Sequence, residues 1–200
     1  GEIVSKLPLY NSPAGSGFKV ERCLDENLRI DSEKQTLYRR GVGMLMFLVK
    51  FSRPDLANSV RELSKANDGA TEKHYKGLLR TVKYVLDTRN KALKYETTDT
   101  LDTVWRLKAY CDSDFAGDKD TRGSVSGYCI YLFDCLICWK SKGQKHVTLS
   151  STEAEYVAVA EVCTEIMFIR MILWFLGIRI QLPIIVHCDN VGAIFLSYNA

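Results

Sequence analysis

Four absences bound what this 200-residue chain does. No apolar run is long enough to cross a bilayer, a task that takes about 20 apolar residues; the most apolar stretch, Ile166 to Ile178, is short and interrupted by Arg170. No signal peptide opens the sequence, so a soluble intracellular protein with no membrane partner is expected. Cys135 and Cys138 form a single C-x-x-C. With no second pair and no histidine pair at zinc-finger spacing, they are read as small buried residues, not zinc ligands or a redox pair. Ser124, Ser126, Ser150 and Ser151 have no histidine or cysteine placed as a catalytic partner, which excludes a hydrolase triad.

What remains is an ordinary globular composition, 46% hydrophobic and 26% charged, enough for one large or two small domains. The seven cysteines, an odd number, sit mostly in apolar runs, which favours reduced thiols in an intracellular compartment. A net charge of +3 hides an asymmetry: residues 1–100 hold 18 Lys+Arg against 13 Asp+Glu, and residues 101–200 hold 9 against 11. A basic half beside an acidic half fits a nucleic-acid platform next to a cation-binding site.

Residues 1–31 contain Pro8, Pro13, Gly15 and Gly17 without sustained periodicity and read as an extended arm or loop. A capped helix is predicted from Ser32 to Phe51, and Gly41 and Gly43 inside it suggest close packing by another element. Ser52-Arg-Pro-Asp55 supplies a turn into a second helix reaching about Ala66. A third helix, Thr71 to about Asp87, is expected to turn Leu78, Val82 and Val85 inward and Lys76, Arg80 and Lys83 towards solvent, where they are candidate phosphate contacts. Lys91 to Glu96 alternates like a short strand, and residues 98–103 read as a linker.

The order Tyr-Arg-Arg-Gly-Val-Gly-Met-Leu-Met-Phe-Leu, Arg-Pro-Asp-Leu-Ala, His-Tyr-Lys-Gly-Leu-Leu-Arg-Thr-Val-Lys-Tyr-Val-Leu over residues 38–96 resembles the region after the polymerase core in copia-type (Ty1/copia) retrotransposon polyproteins. The resemblance implies that residues 32–97 form a helical thumb or connection segment of reverse transcriptase. The family's polymerase signature, an aromatic residue followed by x-Asp-Asp, is absent, so no polymerase active site is expected in this chain.

In the second half, Val104 to Asp112, Ser124 to Phe133 and Leu136 to Lys140 read as three strands of an antiparallel meander. A long helix begins at Ser151. Ile184 to Cys188 is a short buried-type strand, and Asn190 is placed to cap a last helix from Val191. The pattern β-β-β-α-β-α makes an α/β sheet domain. Three acids lie on three elements: Asp112 on a strand, Glu155 in the helix, Asp189 after the last strand. At about 100° per residue, Glu155 shares a stripe with Val159, Val162, Ile166, Ile169, Leu173 and Leu176, whereas Glu153 lies about 160° away. Ser150-Ser-Thr-Glu153 has the form of a capping box, so Glu153 is read as a cap. A carboxylate at the head of an apolar stripe costs desolvation energy unless a cation or donor meets it.

Tyr-Cys-Asp-Ser-Asp-Phe-Ala-Gly-Asp, Ser-Gly-Tyr, Trp-Lys-Ser-Lys, Leu-Ser-Ser-Thr-Glu-Ala-Glu-Tyr and Cys-Asp-Asn-Val-Gly-Ala, over residues 108–196, resemble the ribonuclease H of the same copia-type polyproteins. The resemblance implies a ribonuclease H-like mixed sheet over residues 104–200. It also implies catalytic and metal-binding roles for Asp112, Glu155 and Asp189, with Asp114 as a competing metal ligand because it shares a strand side with Asp112. Two carboxylates about 4 Å apart repel by roughly 4 kcal/mol at an effective dielectric of 20, so such a cluster calls for protons or cations. Mg2+ suits hard oxygen ligands, and the family site holds two ions, with Mn2+ as a substitute. The implied reaction is hydrolysis of the RNA strand of an RNA–DNA hybrid during reverse transcription, leaving a 5′-phosphate and a 3′-hydroxyl.

Lys140, Lys142 and Lys145 form a basic stretch after the third strand for holding phosphates. Asn190 and the Ser150–Thr152 turn are candidates for 2′-hydroxyl contact. Asp118 and Asp120 read as solvated turn residues and His187 as a strand-core histidine. The family also carries a fourth acid on a later helix, so the chain is expected to be a cut through a longer coding sequence, C-terminally incomplete. Implied partners are the hybrid and the rest of the polyprotein, polymerase core and integrase, in a cytoplasmic virus-like particle or the nucleus. Two competing readings are an impaired fragment that binds hybrid or duplex without cleaving it, and an integrase or nuclease on the same fold acting on duplex DNA.

Overall fold

The computed structural model describes residues 2–96 and 105–198; the expected linker 98–103 and Val104 lie outside the described residues. Contacts divide the chain into two compact units, Gly1–Leu93 and Lys94–Ala200.

The first unit consists of α1 (Glu2–Ser5), α2 (Ser32–Phe51), α3 (Ala57–Ser64) and α4 (Glu72–Asp87), with single 3-10 turns at Glu26–Leu28 and Pro54–Leu56. The α2 helix starts where the Asp31 carboxylate accepts the Lys34 N–H at 2.8 Å. At the head of α4, the Thr71 hydroxyl and the His74 ring form a reciprocal capping box. Tyr38, Val42, Leu45, Leu56, Leu63 and Leu78 fill the core, and the Tyr38 hydroxyl donates to the Leu63 carbonyl at 2.7 Å. A Cβ at Gly41 would stand 2.9 Å from Leu78 Cδ2, so glycine there permits the close approach of α2 and α4; Gly43 has nothing within 4 Å and plays no such part.

The N-terminal segment is largely irregular, yet it is tied down: Val20 is buried and its N–H donates to Glu62 Oε2 at 2.9 Å. One expectation fails in this half and another holds only in part. Lys91 to Glu96 forms no strand; Tyr95, which already belongs to the second unit, donates its hydroxyl to the Leu136 carbonyl at 3.1 Å, and no ladder forms. The buried face of α4 is His74, Leu78, Thr81 and Tyr84, with Val82 and Val85 only partly covered.

The second unit contains β1 (Leu107–Asp114), β2 (Val125–Leu132), β3 (Cys135–Gly143), α5 (Ser151–Phe175), β4 (Ile185–His187) and α6 (Val191–Tyr198). This is the ribonuclease H-like α/β order expected. The sheet runs β3-β2-β1-β4; β1 to β3 are antiparallel, with Asp112 opposite Gly127, and β4 is parallel to β1, with Tyr110 opposite His187. Ala158, Val162 and Ile166 of α5 bury against Leu107, Ala109 and Ile130 of the sheet.

The structure corrects three details. β1 continues to Asp114, so Asp112 is not the strand's last residue. Leu176 is exposed, because α5 ends at Phe175 and Leu176 takes the C-cap. β4 is not buried: among the described residues it pairs only with β1, at the sheet edge, and Ile185 and His187 are exposed. Among the described residues, no helix is long and apolar enough to cross a membrane.

Candidate active site

Ser150 starts α5 by accepting the Glu153 N–H on its hydroxyl at 3.1 Å. Glu153 reaches back to the Leu149 N–H at 2.7 Å, one residue before the cap. Glu153 is therefore spent on the helix start and exposed, whereas Glu155 is buried at 5% exposure and faces β1.

Glu155 Oε1 accepts two hydrogen bonds from one residue, the N–H and the hydroxyl of Ser113, both at 2.9 Å. The Cys188 thiol donates weakly to Oε2 at 3.9 Å. Ligand atoms of Glu155, Cys188 and Asp189 all lie within 4.8 Å of one another. Asp112 is not in this group; it occupies the alternate, exposed face of β1. Its charge still reaches the site. Burial, followed by the charges of Asp112 and Asp189, pushes the Glu155 pKa up, against the opposing hydrogen bonds from Ser113.

The donor set suits a divalent cation: two carboxylates from different elements offer hard oxygens at close range, with a third carboxylate's charge beside them. Cys188 adds a soft donor. The neighbouring Cys111 thiol is pushed up to about 12 by burial, then by Cys188 and Glu155, and stays protonated.

The chain is 43% identical over 164 residues to the retrovirus-related Pol polyprotein from transposon RE1 of Arabidopsis thaliana, covering 82% of this chain and 11% of that protein. The corresponding polyprotein from transposon RE2 of the same plant is 42% identical over 164 residues, with the same 82% and 11% coverage. That from transposon TNT 1-94 of Nicotiana tabacum is 36% identical over 163 residues, 82% of this chain and 12% of that protein. This chain belongs to the copia-type retrotransposon polyproteins. It spans only 11–12% of the length of these relatives. No family model and no solved structure matches it.

Other residues of this copia-type fragment depart from their expected surroundings. Asp114 does not join Glu155: its carboxylate folds over Gly117 in the following loop, leaving no room for a side chain there. Asp118 does form the expected turn, accepting the N–H groups of Asp120 and Thr121 at 3.0 and 2.8 Å. Lys76 is exposed. Arg80 and Lys83 are not spread into solvent. The Arg80 guanidinium lies 4.4 Å over the Tyr10 ring, and Lys83 pairs with Asp87 at 2.7 Å, an i,i+4 contact. Lys140 and Lys142 belong to β3 itself, with Lys145 in the loop beyond. Asn190 caps α6, its Oδ1 accepting the Ala193 N–H at 3.0 Å. His187 is exposed and stacks on Tyr110 with ring centroids 4.6 Å apart, so it is not a core residue.

Two site residues escaped sequence reasoning, Ser113 and Cys188. Strand alternation was the available signal for the first: if Leu107, Ala109 and Cys111 face the helix, Ser113 does too, and Asp112 does not. Cys188 was visible only as an apolar strand residue.

Proposed function

We propose that the second unit is a ribonuclease H domain that hydrolyses the RNA strand of RNA–DNA hybrids with Mg2+ or Mn2+, and that the first is the adjoining thumb or connection segment of reverse transcriptase. The observation that carries this reading is the convergence of buried Glu155 with Asp189, within 4.8 Å, under the charge of Asp112. Glu155 and Asp189 offer the ligand oxygens, and Asp112 adds the third negative charge on the exposed side. Divalent ions held there would supply an activated water and neutralise charge on the scissile phosphate. Lys140, Lys142 and Lys145 are suited to hold backbone phosphates, as is Lys76 on the first unit. Arg80 and Lys83 would contribute only by leaving their present partners. The Asn190 amide nitrogen, opposite the oxygen spent on the cap, is the candidate 2′-hydroxyl contact.

The test is cleavage of an end-labelled hybrid by the wild-type chain and by Asp112→Asn, Glu155→Gln and Asp189→Asn. Loss of cleavage in each variant, with hybrid binding retained, supports the reading. The position of Asp112 outside the tight cluster favours a second reading, a fragment that grips hybrid without cutting it. Binding with no cleavage at saturating Mg2+ would establish that alternative.

A further inference from the structure

We propose that Ser113 is a positioning residue that makes Glu155 a one-oxygen ligand: its N–H and hydroxyl together hold Oε1, which leaves Oε2, the oxygen beside the Cys188 thiol, for the ion. The inference rests on the reading that Glu155 holds a metal ion. Both bonds end on the same carboxylate oxygen, and with the carboxylate ionised, as metal binding requires, they are of the stronger kind. Together they fix the carboxylate's rotation about its last bond, which a single donor would leave free. The backbone beside Glu155 is held as well. Gln144 Nε2 donates to the Ala154 carbonyl at 2.8 Å and to the Ser126 hydroxyl at 3.0 Å, and Ser126 is the β2 partner of Ser113. The start of α5 is thus clamped to the sheet on both sides of the carboxylate. Ser113 lies between two exposed aspartates on β1, yet its own hydroxyl points to the helix.

Outer partners of metal-binding side chains typically change metal affinity about 10–100-fold when removed, and because the Ser113 N–H survives substitution, Ser113→Ala is expected near the lower end, about tenfold. The experiment uses the full 200-residue chain, with Mn2+ binding followed by the electron paramagnetic resonance of the free ion, a readout independent of turnover. Ser113→Ala should weaken Mn2+ binding about tenfold and raise the Mg2+ needed for half-maximal hybrid cleavage by a similar factor, with metal-free hybrid affinity unchanged. Ser113→Thr should restore both. Should the alanine variant lose its far-UV circular dichroism, Ser113→Cys, near in size but a weak donor, makes the same comparison. Wild-type Mn2+ affinity in the alanine or cysteine variant overturns the role of Ser113, as does failure of threonine to rescue. A wild-type chain that neither binds Mn2+ nor cleaves hybrid overturns the metal-site reading itself, a different result.

Discussion

Glu62 is the group whose removal should most damage the helical unit without touching the candidate active site. It is fully buried, and its carboxylate accepts the Val20 N–H at 2.9 Å, Arg61 at 2.6 Å and Lys65 at 2.9 and 3.1 Å. Glu62→Ala leaves the Val20 N–H buried without its acceptor, a loss of about 1–3 kcal/mol. Removing one partner of a buried ion pair costs about 3–5 kcal/mol. Here the cations lose less, because Arg61 keeps the Asn58 oxygen at 2.8 Å and the Lys65 side chain, 14% exposed, can turn to water. A total near 3–4 kcal/mol follows, whereas Glu62→Gln keeps an acceptor for Val20 and should lose about 1–2 kcal/mol. The assay separates the units, since Trp105, Trp139 and Trp174 all lie in the second. In urea titrations, far-UV circular dichroism should show an early phase shifted by about 1–2 M in Glu62→Ala and less in Glu62→Gln, while the tryptophan transition stays in place. An alanine variant whose helical phase coincides with wild type would refute the anchoring of Val20 by this buried charge.

Two further outcomes test the helical unit. Gly43→Ala, in open space, should stabilise by about 0.5–1 kcal/mol through helix propensity; Gly41→Ala meets Leu78 at 2.9 Å, and an overpacking cost of about 1–3 kcal/mol should cancel or outweigh that gain. Equal stabilisation by both, in the same urea titrations, would contradict the close approach of α2 and α4. Burial, then the Lys73 charge, pushes the His74 pKa down against Glu21, and the neutral ring accepts the Thr71 N–H at 3.1 Å. The lowered value makes the His74 contribution complete above the ordinary 6.5 and lost as pH falls through the folded-state pKa. The helical phase should therefore weaken on acidification from about pH 7.5 to 5, and His74→Gln should flatten that dependence; parallel pH curves would count against it.

Much of the fold was legible because local and tertiary demands agree. The helix Ser32–Phe51 has its periodicity and the capping Asp31 just before it, and the order of strands and helices after Leu107 follows from alternation, turns and the capped start at Ser150. The separation of Glu153 from Glu155 needed only helical geometry. Features set by neighbours distant in sequence were not legible. The exposure of His187 depends on β4 lying at the sheet edge, and the capture of Arg80 by Tyr10 depends on where the N-terminal segment runs. Lys91 to Glu96 alternates as a strand does, but alternation makes a strand only when a partner edge is present. Within the site, Ser113 was legible only through its parity on β1, which points it at Glu155.

The most direct test of the central claim is incubation of the wild-type chain with a hybrid labelled on its RNA strand, in Mg2+ and in chelator, beside RNA duplex and DNA duplex of the same sequence. A ribonuclease H site predicts Mg2+-dependent cuts in the RNA of the hybrid alone, with 5′-phosphate ends. Cleavage of the DNA duplex instead, or an intact hybrid bound at saturating Mg2+, would contradict it.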